Sequence, residues 1–220
     1  TTISTGDVDQ DGDDDLVIGN RSSRLVTTLI NNGSEDFVYG ADLYVGEAPS
    51  ASAVADIDGD EKLDILTANP NASTVSVFFN NGSGAFLAQQ RFGCGGEPSD
   101  LAVADFDGDG LPDVLTADFS EGTLSLLRNT GLASLDSPVA TSAGEGPTEL
   151  VTKDFDLDGD MDAAVIASGT REVVVLQNAG DGTFAVSDRV PFLYPPTALA
   201  SGDLDGDRYA DLVVSSGPQS

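Results

Sequence analysis

The sequence has no histidine and no tryptophan, a single cysteine and a single methionine, and only nine basic residues against 38 acidic ones. Each shortage closes a class of function. Without histidine there is no Ser-His-Asp triad and no His-ligated zinc, and the lone Cys94 permits neither a thiolate zinc site nor an intrachain disulfide. Cys94 stands in the stretch Gly93-Cys94-Gly95-Gly96 and reads as a small, half-buried residue without a chemical role. A formal charge of −29 on 220 residues opposes binding to nucleic acid or to an anionic membrane. No run of about 18 apolar residues is present, so no membrane insertion is expected. The opening TTISTGDVDQ has neither the basic nor the apolar stretch of a secretory leader, so a secreted origin would make this a mature or excised piece.

What the sequence does have is 40% apolar residues, enough for a folded core, and 25 glycines. Such a negative chain needs cations, supplied either by divalent ions at specific sites or by a high-salt surrounding. The placement of the aspartates decides between the two.

Asp7, Asp56, Asp105, Asp154 and Asp203 follow one another at intervals of 49 residues. Pro49, Pro98, Pro147 and Pro196 keep the same interval, as do Asn31, Asn80, Asn129 and Asn178, and Gly33, Gly82, Gly131 and Gly180. Phe37, Phe86, Leu135 and Phe184 keep it too. Within one unit, Ser52 to Ile57, Leu63 to Ala68 and Thr74 to Phe79 read as strands with turn chemistry between them, and Phe86 to Phe92 as a weaker fourth. No segment has helical periodicity. Four short antiparallel strands per repeat of this length predict an all-β, propeller-like array of four-stranded blades. The units are 1–49, 50–98, 99–147 and 148–196, with 197–220 supplying the first two strands of a fifth. Asp211 to Ser216 is then an inner strand with no third strand to pair with, so either self-association through that edge or a longer parent chain, of which this is a fragment, is expected.

Each unit opens its first turn with D-x-D-x-D-x-x-x-D. The first loop carries Asp7, Asp9, Asp11, Asp13 and Asp15 at its odd positions, and the second Asp56, Asp58, Asp60, Lys62 and Asp64. The third carries Asp105, Asp107, Asp109, Leu111 and Asp113, the fourth Asp154, Asp156, Asp158, Asp160 and Asp162, and the fifth Asp203, Asp205, Asp207, Tyr209 and Asp211. Carboxylates at the first, third, fifth and ninth positions of a tight turn converge on one hard cation. A backbone carbonyl at the seventh, where the side chain varies from Asp to Lys, Leu and Tyr, adds a neutral oxygen. Six or seven flexible oxygens suit Ca²⁺ better than Mg²⁺. The second position is Val8, Ile57, Phe106, Phe155 or Leu204 and is expected to point into the sheet packing. Glycine holds the sixth position in three loops, but Glu61 and Arg208 break that rule, so weaker binding is expected there. Four ligand aspartates in each of five loops account for 20 of the 38 acids, and one calcium ion per loop, about five in all, would offset part of the charge.

At these residues the sequence resembles the FG-GAP/VCBS repeats of the integrin α-subunit propeller and of many bacterial secreted proteins. Phe86, the bend Gly95 to Pro98, and Ala102 to Asp105 running into DFDGDGLPD follow that family's order of motifs. The resemblance implies a propeller with Ca²⁺ held between the first two strands of each blade by the first, third, fifth and ninth loop positions. The chain departs from the integrin pattern in having no disulfide-forming cysteines.

The expected function is a non-catalytic, extracellular or cell-surface structural or adhesion module that meets a protein or glycan ligand. A calcium-dependent lectin is the alternative, disfavoured by the absence of tryptophan and by only four tyrosines. An enzyme scaffold, such as a polysaccharide lyase, ranks third because nearly all paired carboxylates are taken as ligands. N-x-S/T sequons at Asn20, Asn32, Asn71 and Asn81 all fall in expected turns.

Overall fold

A computed structural model describes residues 1–34 and 36–217. The chain forms antiparallel sheets in sequence order, and each repeat folds into its own sheet. The first holds β1 (Thr2–Gly6), β2 (Asp15–Asn20), β3 (Leu25–Asn31) and β4 (Phe37–Tyr44). The second holds β5 (Ala51–Ala55), β6 (Asp64–Asn69), β7 (Thr74–Phe78) and β8 (Gln90–Gly93). The third holds β9 (Pro98–Ala104), β10 (Asp113–Asp118), β11 (Thr123–Leu127) and β12 (Val139–Ser142), and the fourth β13 (Pro147–Lys153), β14 (Asp162–Ala167), β15 (Glu172–Asn178) and β16 (Phe184–Pro191). In the fifth, β17 (Pro196–Gly202) pairs with β18 (Asp211–Ser216). The architecture is all-β and propeller-like, as the repeat predicts. Helical structure among the described residues is one 3₁₀ turn at Pro70–Ala72.

The fourth strand of the second sheet is shorter than its sequence suggests. β8 begins only at Gln90, and Phe86 contributes an isolated bridge to Asn80. Gln89 and Gln90 in this segment are poor β formers.

The repeated prolines are buried and either start a strand, as Pro98, Pro147 and Pro196 do, or stand two residues before one, as Pro49 does, positions where the missing N–H costs no ladder bond. The core lies between the sheets rather than within one. Val8, Val17 and Val26 of the first sheet pack with Ile65 and Phe78 of the second. Ile57, Leu66 and Val77 of the second meet Leu101, Val114 and Leu127 of the third. Phe106, Leu115 and Leu126 of the third meet Leu150, Val165 and Leu176 of the fourth, and Ala164 and Ile166 of the fourth meet Leu199 of the fifth. This sandwiching explains why β6, β10 and β14 are buried at every residue, on both faces. β2 alternates between buried and half-buried, and β18 has no buried residue, because each is covered on one face only.

Candidate metal centres

Each Asp-rich loop joins the first two strands of its sheet, and its aspartates first organise the turn itself. The opening Asp accepts backbone N–H bonds from further along the loop: Asp105 takes Gly108 at 2.8 Å and Gly110 at 2.9 Å, and Asp203 takes Gly206 at 2.7 Å and Arg208 at 3.1 Å. The fifth-position Asp accepts the seventh-position N–H in all five loops, as in Leu111 to Asp109 at 2.8 Å. The ninth-position Asp closes the loop from the second strand. Asp64 takes the Ile57 N–H at 2.9 Å and the Asn80 N–H at 2.9 Å, and Asp113 takes those of Phe106 and Asn129.

The turn places the fourth and sixth positions in the left-handed region in every loop. At the sixth, Gly12, Gly110 and Gly159 suit that conformation, whereas Glu61 (φ 66°) and Arg208 (φ 82°) adopt it at a cost of roughly 1–2 kcal/mol. At the fourth, Gln10 and Leu157 carry the same strain. Only the third loop has glycine at both positions, Gly108 and Gly110, so a glycine at the fourth position does not relieve the sixth.

Oxygens of the first, third and ninth aspartates converge to within 4.8 Å of one another in all five loops: Asp7, Asp9 and Asp15; Asp56, Asp58 and Asp64; Asp105, Asp107 and Asp113; Asp154, Asp156 and Asp162; Asp203, Asp205 and Asp211. The fifth-position residues Asp11, Asp60, Asp109, Asp158 and Asp207 lie outside these groups, as do the seventh-position Asp13, Lys62, Leu111, Asp160 and Tyr209. Lys62 instead turns its ammonium onto Asp60 at 2.5 Å, which holds the Asp60 carboxyl below its ordinary value.

Two observations show that these clusters suit a cation. The Oδ1 atoms of Asp9 and Asp58 are buried with no hydrogen-bond donor, a costly condition that a bound cation relieves. Burial, the largest cause, also pushes the Asp64 and Asp113 carboxyls up to about 6, and the neighbouring loop aspartates add to it against the backbone N–H donors. Asp9, Asp58 and Asp162 are raised for the same leading reason. In the third and fourth loops a polar side chain reaches the third-position Asp, Arg128 to Asp107 at 3.6 Å and Gln177 to Asp156 at 2.7 Å. The matching residues beside the first two loops, Ile30 and Phe79, offer no donor.

The second-position side chain points away from the aspartates toward the next sheet. Val8, Ile57 and Phe106 are buried, and Phe106 meets Phe184 edge-on at 5.7 Å. Leu204 departs from the expectation for the fifth loop: it is 69% exposed, and among the described residues no later sheet lies over it.

The repeated asparagines play a part that their sequence spacing does not disclose. Asn80 donates its side-chain amide to the Val8 carbonyl of the preceding loop at 2.7 Å and to Leu63 of its own sheet at 3.0 Å. Asn129 repeats this on Ile57 and Pro112, and Asn178 on Phe106 and Met161. Because the same asparagine's backbone N–H reaches the ninth-position Asp, each one ties two consecutive loops together.

The FG-GAP-like repeat pattern matches this chain at residues 7–67, 56–116, 105–165 and 154–214, each match running from one Asp-rich loop through the next. The chain belongs to the FG-GAP-like repeat family. Comparison with curated proteins finds no match. Among solved structures, the chain is similar to an Agrocybe aegerita lectin described for specific recognition of non-reducing terminal N-acetylglucosamine. The TM-score is 0.68 at 20% identity, covering 96% of this chain and 59% of that one. It is also similar to BBS1N in complex with ARL6DN, with a TM-score of 0.69 at 12% identity over 97% of this chain and 62% of that one. A third similarity is to the Photorhabdus luminescens Tc holotoxin pore, with a TM-score of 0.54 at 18% identity, covering 97% of this chain and 11% of that one. At these identities the likeness concerns the fold. The chain spans about three fifths of the first two structures it matches.

Elsewhere, burial pushes the half-buried Cys94 thiol up to about 12, which makes it a poor nucleophile. The sequon asparagines 20, 32, 71 and 81 are all exposed. No helix is long and apolar enough to cross a membrane among the described residues.

Proposed function

We propose that the chain is a calcium-stabilised, non-catalytic interaction module that works outside the cell or on its surface. The observation that carries this reading is the fivefold convergence of three carboxylates at one register, in a family whose repeats often bind calcium. Bound Ca²⁺ would supply positive charge between the first, third and ninth aspartates. The residues of the chain do the rest: the opening Asp shapes the turn, the ninth anchors it to the second strand, and the asparagine links it to the next sheet. Short, solvent-facing loops of this kind suit the near-millimolar calcium of extracellular fluid. Calorimetric titration of the metal-free protein is expected to count about five ions and to lose one in Asp105→Ala/Asp113→Ala. A count near zero would remove the calcium reading.

A glycan-binding function is the second reading, favoured by a pocket at the opposite end of the sheets from the Asp-rich loops. Loops between second and third strands, with the adjoining strand starts, enclose a cavity of about 330 Å³ lined by Arg21, Asn71, Glu97, Ser99 and Phe119 among others. Phe119 is 45% exposed and offers an apolar face beside polar hydrogen-bonding groups, the mixture a sugar ring requires. A glycan array read with and without calcium, alongside Phe119→Ala, distinguishes the readings. Signal lost in the variant supports the lectin, and a blank array leaves a protein ligand.

A further inference from the structure

The second and third sheets are each packed between four-stranded neighbours, yet the third-position aspartates of their loops are held differently. Asp58 has its Oδ1 buried with no hydrogen-bond donor. In Asp107 the same atom accepts the Asp109 N–H at 3.3 Å, and the other oxygen, Oδ2, lies 3.6 Å from the Arg128 Nε. Phe79, one repeat before Arg128, is apolar and buried. Lys62 of the second loop is turned to Asp60, outside the converging oxygens. The third loop therefore carries a positive charge beside its converging carboxylates, and the second does not.

Arg128 is more than a solvated surface charge. It follows β11 and reaches across to the fourth sheet, where its Nη2 donates to the Asp181 carbonyl in the turn between β15 and β16. Gly182 in that turn comes so close that a Cβ there would stand 3.1 Å from Nη2 and 3.2 Å from Nε. Nε is buried and makes no hydrogen bond, so the Asp107 carboxylate is what offsets its desolvation. The guanidinium thus ties the third loop to the fourth sheet, beside the link made by the Asn178 amide. Gln177, one repeat on, donates to Asp156 at 2.7 Å but brings no charge.

We propose that Arg128 is a resident counter-cation of the third loop: it holds the loop closed when calcium is withdrawn and competes with calcium for Asp107 when the metal binds. The second half of this inference rests on the calcium reading, and the first does not. A guanidinium beside one carboxylate relieves the repulsion among the converging oxygens, while its charge opposes a divalent ion brought within a few ångströms. One residue then stabilises the metal-free loop and lowers its calcium affinity. The second loop, strained at Glu61, remains the weakest binder, and it opens first because no protein donor reaches the Asp58 Oδ1. As calcium falls, the third loop outlasts the second.

Hydrogen–deuterium exchange read by mass spectrometry resolves the two loops as peptides spanning residues 56–64 and 105–113. In excess chelator, with metal removal verified, the third loop of the parent is expected to exchange at least about tenfold more slowly than the second. Arg128→Met, which keeps an apolar stem against Gly182, removes that difference, and Arg128→Lys retains most of it. Calcium added in steps protects both loops. In Arg128→Met the calcium concentration that half-protects 105–113 falls about threefold or more, while that for 56–64 stays where it was. A purely structural side chain would behave otherwise, since its loss would lower protection and raise the midpoint together. A third loop as open as the second in the chelated parent overturns the proposal, and so does a midpoint for 105–113 that is unchanged or rises in Arg128→Met. Calcium without effect on any loop removes the calcium reading and the competition with it; closure by Arg128 then stands or falls on the chelated comparison alone.

Discussion

Asn129 is a single side chain that holds parts of two sheets. Replacing it with alanine leaves the Ile57 and Pro112 carbonyls without their donor and is expected to cost about 1–3 kcal/mol in urea unfolding. Asn31→Ala, with no loop before it, should cost measurably less; equal costs would show that the link between sheets contributes nothing. Backbone strain gives an effect of opposite sign. Glu61→Gly and Arg208→Gly relieve left-handed non-glycine residues and should stabilise by up to about 1 kcal/mol after the entropy cost of glycine, whereas Gly110→Ala should destabilise. Titration provides a further test. Asp64 and Asp113 in the loops, and Asp100 and Asp118 elsewhere, have carboxyls pushed up to about 6, burial being the leading cause in each. A carboxyl raised above its unfolded value near 4 holds its proton more tightly in the folded chain. The associated stability is present below the unfolded value and lost as pH rises through about 6. In excess chelator the melting temperature should therefore be higher at about pH 5 than at about pH 7.5. Calcium should reverse that order, because protons compete with it for the same oxygens. A chelated protein that gains stability with rising pH would contradict this assignment.

Sheets stacked face to face make identical repeat positions unequal in energy. Phe106→Ala removes a ring packed between the third and fourth sheets and is expected to cost about 3–5 kcal/mol. Leu204→Ala, at the same loop position but uncovered, should change stability by no more than about 0.5 kcal/mol. The comparison measures how much of each sheet's stability comes from its neighbour. It also separates what the sequence made legible from what it did not. The interval between aspartates, strand-forming runs such as Leu63 to Ala68 and the turn residues are local signals, so the number and type of sheets could be read directly. Spacing also pointed to convergence of the first, third, fifth and ninth aspartates, of which the first, third and ninth come together, whereas the fifth is turned to the seventh-position N–H. The fate of Leu204 could not be read that way, since its sequence context matches that of Val8 and only a missing neighbour distinguishes them. The left-handed fourth position was hidden because Gln10 and Leu157 occupy it, and the asparagine link was hidden because its acceptor lies 72 residues away. The matching Phe37 and Phe184 begin full outer strands, whereas Phe86 makes only an isolated bridge, a difference that the repeat spacing does not disclose.

On the calcium reading proposed above, the five Asp-rich loops together are expected to decide whether the array stands. Without a cation each loop gathers carboxylates within 4.8 Å of one another, and their repulsion, with burial of the ninth-position Asp, opposes the turn that joins the first two strands. Binding acts only on the folded geometry. For a Kd of about 10⁻⁴ M in ~1 mM calcium, linkage contributes about 1.4 kcal/mol per site, roughly 7 kcal/mol over five, against a typical total of about 5–15 kcal/mol. The second site should be the weak one: Lys62 already pairs with Asp60 and Glu61 is strained, so Lys62→Ala is expected to tighten calcium binding there, read as a steeper early limb of the calorimetric titration. The most direct test is thermal unfolding by circular dichroism of the same sample in calcium and then in excess chelator, after metal removal is verified by elemental analysis. A melting temperature that falls steeply, or a chain unfolded outright, with recovery on adding calcium back, is the predicted result; an unchanged melting curve in the verified metal-free protein would contradict it.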